Sequence, residues 1–133
     1  MNQATRDDTS AIGLEIRRTM FGAETTDAQV TADDPLTKDL QEIVTKACFG
    51  EIWSRGKLSL RDRSLITVAM LTALGREPEL RTHIRGALSN GVTPDELREA
   101  IIHSYLYAGL PAAFGGAQAA NAVLDEAEKE LLS

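Results

Sequence analysis

Three side chains capable of acid–base chemistry occur at helical intervals in the second half of the chain. Glu99, His103 and Tyr107 follow one another at four-residue steps, and residues four apart lie on one face of an α-helix. Most of the residues between them are apolar, which predicts a largely buried helix. Burying such polar groups without partners costs about 1–3 kcal/mol each. The stripe therefore needs a polar ligand in a closed cavity, a core hydrogen-bond network or a contact with another subunit.

The residue types in the chain favour general acid–base chemistry. The chain has two histidines, His83 and His103, one cysteine, Cys48, and no HExxH motif, Gly-rich phosphate loop or serine nucleophile elbow. The histidines and Glu99 could in principle ligate a metal, but without a ligand spacing signature we expect none. Cys48 lies on an apolar helix face, which favours a small buried hydrophobe over a nucleophile. Histidine and glutamate remain as proton carriers, with tyrosine and arginine as hydrogen-bond donors.

Length and charge limit the class of protein. The chain of 133 residues is long enough for one domain with its own core. Its 14 Lys and Arg against 20 Asp and Glu argue against nonspecific nucleic-acid binding. No apolar run approaches the roughly 20 residues of a membrane span, and the first residues do not resemble a signal peptide. We expect a cytoplasmic protein with no membrane or nucleic-acid partner, a flexible stretch at 1–9 and a single domain at 10–133.

The elements that must position these residues are all helices. Asp34-Pro35 and Thr93-Pro94 are helix starts, and Gly91 is a typical helix stop. The segment 23–33 predicts a loop, and 51–58 predicts a short connector with Trp53 in it. No segment shows strand alternation, so we predict an all-α bundle of about six helices. The predicted spans are about 10–21, 34–50, 59–74, 78–90, 93–108 and 111–132.

One of these helices has more apolar surface than a small chain can cover. From Leu65 to Leu74 nearly every residue is apolar, so the helix needs cover on all sides. A single chain of this size provides that cover with difficulty. The pattern therefore predicts a homo-oligomer.

Four blocks in this order resemble the carboxymuconolactone decarboxylase family. They are FGEIWSR at 49–55, RSLITVAMLTALGRE at 63–77, ELRTHIRGALSNGVTPDELREAI at 79–101 and YAGLPAA at 107–113. The resemblance covers most of residues 10–127. It implies the all-helical fold of the alkylhydroperoxidase D proteins and a ring-like trimer or hexamer. The peroxidase branch carries CxxC before a histidine, and those cysteine positions fall here on Arg76 and Glu79, which excludes thiol redox chemistry.

The resemblance also implies an activity, that of a carboxy-lyase without a cofactor. The expected reaction converts 4-carboxymuconolactone, a small anionic lactone, to 3-oxoadipate enol-lactone and CO2 in the β-ketoadipate pathway of aromatic catabolism. The leaving carboxylate is conjugated through a C=C bond to the lactone carbonyl, so the substrate itself accepts the electrons. The alternatives are a paralogue acting on a related lactone and a non-redox helical oligomer that binds a small molecule without decarboxylating it.

The same resemblance implies roles for individual residues. His83 is the expected general acid, Arg76 and Arg63 are expected carboxylate clamps, and Glu99 orients a histidine or an arginine. The expected catalytic residues are His83, Glu99 and Arg76, and the expected substrate-binding residues are Arg63, His103, Tyr107, Glu79 and Trp53. Tyr107 or His103 would donate to the lactone carbonyl. Arg63 could instead be a solvated first-turn residue, Glu79 a surface ion pair and Trp53 a packing anchor.

Three departures from the family pattern affect the expected substrate. Residues 53–58 read WSRGKL where WSRPGL is common, and His103 stands where glutamine is frequent. After Pro111 to Ala113 the chain continues with Phe114, Gly115 and Gly116 rather than with a more polar run. The last two differences fall where they could line the pocket, so they leave room for a related lactone.

Overall fold

The part of the chain that the structure describes is entirely helical between its turns. The structure is a computed structural model that describes residues 3–133, with side chains from Asp8 onward. This range has seven α-helices, one π-helix and no strand, which confirms the all-α prediction with one helix more than the expected six. The elements are α1 Gln3–Phe21, α2 Ala23–Val30, α3 Pro35–Ile43, the π-helix Val44–Trp53, α4 Leu60–Leu74, α5 Glu77–Ser89, α6 Pro94–Ala108 and α7 Leu110–Leu132.

Tertiary contacts divide the chain into two compact units. The N-terminal unit comprises residues 1–60 and the C-terminal unit residues 61–133. The single domain expected over 10–133 stays a prediction. The flexibility expected for residues 1–9 also stays one, because residues 1 and 2 and the side chains before Asp8 lie outside the described part. No helix in residues 3–133 is long and apolar enough to cross a membrane.

The N-terminal unit differs most from the sequence prediction. Helix α1 begins at Gln3 rather than near residue 10, and α2 occupies most of the predicted loop at 23–33. Packing explains α2, because Thr26 is fully buried and Asp27 accepts a hydrogen bond from Arg18 of α1 at 2.8 Å. The loop prediction was wrong because these tertiary contacts outweigh the weak helix propensity of threonine and aspartate.

The helix predicted over 34–50 is also wrong in its second half. Asp34 caps α3 as expected, with Thr37 N donating to Asp34 Oδ2 at 2.8 Å. Hydrogen bonding from the Thr37 side chain, and then from its backbone, lowers the pKa of the Asp34 carboxyl. From Val44 to Trp53, however, the backbone is a π-helix. The expected connector therefore begins only after Trp53. Leu36, Leu40 and Ile43 form an apolar stripe on α3 that is exposed.

An aromatic cluster and a buried cation make up the core of the N-terminal unit. Phe49 and Trp53 stack with their ring centroids 5.6 Å apart. Arg17 is only 4% exposed, and its guanidinium donates to Thr45 Oγ1 at 2.9 Å and to Gln29 Oε1 at 2.8 Å. These bonds compensate part of the cost of burying a charge. Burial lowers the pKa of Arg17.

The core of the C-terminal unit is aliphatic and closely packed. It is built from residues of α4 to α7, namely Val68, Leu80, Ile84, Ala87, Val92, Leu97, Ile101, Ala119, Ala120 and Val123. A Cβ added at Gly116 would lie 2.7 Å from Thr72 Cγ2 and 3.1 Å from Ile101 Cγ2. The glycine therefore allows α7 to approach both α4 and α6.

The ends of α6 follow the sequence signals. Thr93 Oγ1 accepts from Glu96 N at 3.1 Å, and Thr93 N donates to Glu96 Oε1 at 3.0 Å, which completes a capping box. Gly91 and Gly109, on either side of α6, have φ angles of 93° and 91°. Glycine adopts this left-handed region without strain, so both helix boundaries are encoded locally.

Candidate functional site

Helix α6 presents its polar stripe to the surface of the C-terminal unit. Its buried face consists of Leu97, Ile101 and Ser104. Glu99, His103 and Tyr107 are exposed, Tyr107 by 85%. The expectation of a largely buried helix with the stripe in a closed cavity was wrong, because the core of this unit covers only the opposite face of α6.

Glu99 and His103 of the stripe line an open depression of about 490 Å³. Leu65 of α4 also lines the depression. The imidazole of His103 is 5.7 Å from the Tyr107 ring, centroid to centroid. The lining residues are Leu65, Glu96, Glu99, Ala100, Ile102, His103, Tyr105 and Leu106. Glu96 also pairs with Arg61. Two carboxylates and an imidazole suit proton transfer better than the binding of an anion.

A second depression, of about 210 Å³, contains Arg76. It lies where the end of α4, the start of α5 and the start of α7 meet, with Arg76 and Glu77 as its charged residues. The Arg76 guanidinium is 3.6 Å from the Glu79 carboxylate, and both side chains are exposed. Glu77 is paired with Arg81 at 2.8 Å. An exposed guanidinium with a loose partner suits the binding of a carboxylate.

His83 lies on α5, two helical turns after Arg76. The residue is half-buried, and desolvation lowers the pKa of its imidazole from the ordinary 6.5. It flanks the fully buried Ile84 and is not among the residues that line the two depressions described above. Burial thus makes the neutral imidazole the favoured form of His83 near pH 7.

The remaining candidates fall into different surroundings. Arg63 is half-buried on the first turn of α4, and Glu79 is the exposed partner of Arg76. Trp53 is 7% exposed in the aromatic core of the N-terminal unit, which favours the packing-anchor interpretation. Burial raises the pKa of the Cys48 thiol, against the opposing effects of Trp53 and Arg17, so the thiol resembles the expected inert hydrophobe.

The structure thus brings Glu99 together with His103 and Tyr107 but assigns Arg76 to a separate depression. Among the described side chains, from Asp8 onward, no cluster of three or more His, Cys, Asp or Glu could hold a metal ion. That the protein acts without metal or cofactor stays a prediction. The sequence analysis missed the pairing of Glu96. Its partner Arg61 is 35 residues away, and no local spacing signals such a pair.

Comparison with known proteins identifies the class to which this all-helical chain belongs. A model of the carboxymuconolactone decarboxylase family matches residues 38–122. The chain belongs to this family, and its fold is the all-α alkylhydroperoxidase D type. The matched range contains every candidate site residue, from Trp53 to Tyr107.

Individual relatives include two decarboxylases. The chain is 46% identical over 100 residues to a 4-carboxymuconolactone decarboxylase of Acinetobacter baylyi, covering 75% of each chain. It is 35% identical over 99 residues to a nitrosuccinic acid decarboxylase of Metarhizium robertsii, covering 74% of this chain and 69% of the relative. An uncharacterized 15.0 kDa protein of Paracoccus denitrificans is 34% identical over 84 residues, which is 62% of this chain and 63% of that protein.

Proposed function

We propose that this protein is a carboxy-lyase that converts 4-carboxymuconolactone to 3-oxoadipate enol-lactone and CO2 in the β-ketoadipate pathway. The observation that carries the proposal is the 46% identity over 100 residues to an enzyme named for this reaction. The replacement of the CxxC cysteines by Arg76 and Glu79 supports it further, because a guanidinium can bind an anionic substrate.

A second candidate function is the decarboxylation of a related acid. The nitrosuccinic acid decarboxylase shows that a relative 35% identical to this chain acts on a different compound. Both compounds are succinates whose C2 carries the leaving carboxylate and an electron-accepting group. In nitrosuccinate that group is the nitro group, and in the lactone it is the carbonyl reached through the C=C bond. Neither reaction needs a cofactor as electron acceptor.

The residues of the C-terminal unit support the proposed chemistry. The C–CO2 bond breaks, its electron pair enters the lactone carbonyl to give a dienolate, and a proton then adds to carbon. His83 supplies this proton. Before substrate binds, burial lowers the pKa of His83, and this pKa rises when an anionic substrate binds nearby, because a negative charge favours the imidazolium. Arg76 and Arg63 bind the substrate carboxylates, Tyr107 or His103 donates a hydrogen bond to the lactone carbonyl, and Glu99 orients a histidine or an arginine.

We also propose that the protein is a homo-oligomer, a trimer or a hexamer as in the family expectation. Ile66, Met70 and Leu74 form a stripe on α4 that is 41–71% exposed, and Leu106 and Phe114 are exposed on α6 and α7. Contiguous apolar patches beyond a few hundred Å² are unusual on monomers. Light scattering after size exclusion tests the proposal, with Met70→Glu as a variant that weakens association. A wild-type chain that elutes as a monomer would contradict it.

The activity is tested with 4-carboxymuconolactone generated in situ and followed by absorbance, with and without the protein and with EDTA present. Rapid conversion to the enol-lactone with CO2 release, unaffected by EDTA, is the expected result. A rate equal to the spontaneous one would leave the family assignment unchanged but reject this substrate. The function would then be that of a paralogue for a related lactone or of a small-molecule binder.

A further inference from the structure

The depression around Arg76 has the size of a subsite rather than of a whole binding pocket. Its volume is about 210 Å³, below the roughly 300–1,000 Å³ typical of pockets that enclose a complete small ligand. Apolar side chains, including Leu71 and Leu80, line it beside one arginine. Such a site accommodates one arm of a substrate that ends in a carboxylate.

The charges around this depression leave the Arg76 guanidinium available to an incoming anion. Its contact with Glu79 is long, 3.6 Å, and both side chains are exposed. Exposed ion pairs of this kind contribute little to stability. Glu77 also lines the depression and would repel an anion, but its carboxylate accepts a hydrogen bond from Arg81 at 2.8 Å. A substrate carboxylate can therefore replace Glu79 at little cost.

Gly115 keeps part of this depression empty. A Cβ added at Gly115 would meet no atom within 4 Å, whereas one at the neighbouring Gly116 would clash with Thr72. Gly115 lies inside α7 and lines the depression. A larger side chain at this position would extend into the depression without disturbing the packing of the helix.

Arg76 accelerates the reaction only if it binds a carboxylate that the substrate retains. A leaving carboxylate loses its negative charge as it becomes CO2, so a cation bound to it stabilises the ground state more than the transition state. Interactions of that kind slow the chemical step. A retained carboxylate keeps its charge throughout and can be bound tightly without this penalty.

We propose that the depression at Arg76 and Gly115 binds the carboxymethyl arm of succinates that carry an electron-accepting group on C2. This inference rests on the proposed decarboxylase function and specifies its substrate class. Both compounds compared above contain this arm, −CH2–COO−, on the carbon that loses CO2. The chain should therefore also decarboxylate 2-nitrosuccinate. In that reaction the C–CO2 electron pair enters the nitro group to give a nitronate, and one proton then adds to carbon to give 3-nitropropanoate.

The experiment measures the protein-dependent decarboxylation of three compounds, each against its spontaneous rate. They are 4-carboxymuconolactone, 2-nitrosuccinate and 2-nitropropanoate, which has the nitro group and the leaving carboxylate but no second carboxylate. The wild-type protein should accelerate the first two and not the third. Gly115→Leu should raise KM for both substrates by about tenfold or more with a smaller change in kcat, the signature of lost substrate binding. Gln118→Leu places the same side chain one turn further along α7, at an exposed position, and should leave both parameters unchanged.

Each outcome decides a separate point. If the protein accelerates the decarboxylation of the lactone alone, the inference is overturned and the proposed function stands. The same holds if it accelerates the decarboxylation of 2-nitropropanoate as strongly as that of nitrosuccinate. Acceleration of nitrosuccinate alone would support the inference and reject the lactone as substrate, and acceleration of no compound would reject both. Unchanged KM values in Gly115→Leu would place the arm elsewhere. If that variant loses its helical circular dichroism, Arg76→Gln, altered at an exposed side chain, tests the same subsite and should raise both KM values.

Discussion

Helices α5 and α6 of the C-terminal unit each carry one of the two histidines, and they expose it differently. His83 on α5 is half-buried, and desolvation lowers its pKa. His103 on α6 is exposed and lies beside the ring of Tyr107. Two imidazoles that look equivalent in the sequence therefore differ in burial and in access. In the proposed reaction His83 is the proton donor, with its charged form restored by the bound anionic substrate, and His103 is a surface group that helps to hold the substrate.

The largest expected effect separates the two histidines in the decarboxylation assay. Loss of a general acid typically costs about 10²–10⁴ in rate, so His83→Gln should lower kcat by this amount, whereas His103→Gln should lower it by less than about tenfold. Steady-state kinetics measures both, and far-UV circular dichroism checks that each variant is folded. Equal losses in the two variants would remove the distinction between the helices.

A second test concerns the buried face of α6, which contacts α7 closely although its outer face is open. Gly116→Ala should destabilise the fold by about 1–3 kcal/mol, the usual cost of overpacking, because the added Cβ meets Thr72 and Ile101. The matched variant Gly115→Ala adds its Cβ to open space and should gain up to about 1 kcal/mol from helix propensity. Urea unfolding compares the two, and a Gly116→Ala midpoint at or above that of the wild type would contradict the close packing.

The N-cap residues, which directly precede the two helices, provide a third, smaller contrast. The side chain of Thr93 caps α6, whereas Arg76 at the N-cap of α5 makes no side-chain cap hydrogen bond. Thr93→Ala should therefore cost about 1 kcal/mol, and Arg76→Ala should change stability by less than about 0.5 kcal/mol, as surface substitutions usually do. Thermal or urea unfolding measures both changes. A larger loss in Arg76→Ala would show that this arginine has a structural role.

The smallest expected effect is the pH dependence of stability due to His83. Its folded-state pKa is lowered below 6.5 by burial, so the unfolded chain takes up the proton first as the pH falls. The stabilising contribution is complete above pH 6.5 and is lost as the pH falls through the folded-state pKa. Urea unfolding at pH 7.5 and 5.5 should therefore show a smaller loss of stability in His83→Gln than in the wild type. His103→Gln serves as the control, and an identical loss in all three proteins would argue against a buried His83.

Much of the fold followed from short-range signals. The start of α6 at Thr93, its end at Gly109 and the cap at Asp34 are all set by hydrogen bonds or backbone angles within a few residues. The family resemblance is confirmed by the match at 38–122. The spacing of Glu99, His103 and Tyr107 also correctly placed them on one face of α6, where His103 and Tyr107 are in contact.

The tertiary structure alone decided which faces of the helices are buried. It turned the polar stripe of α6 outward, folded the expected loop at 23–33 into α2 and paired Arg61 with Glu96 across 35 residues. It also separated Arg76 from the residues of the α6 stripe. Hydrogen bonds between residues up to four positions apart are determined by the local sequence. Burial depends on which distant segment packs against each face, and no local pattern specifies that partner.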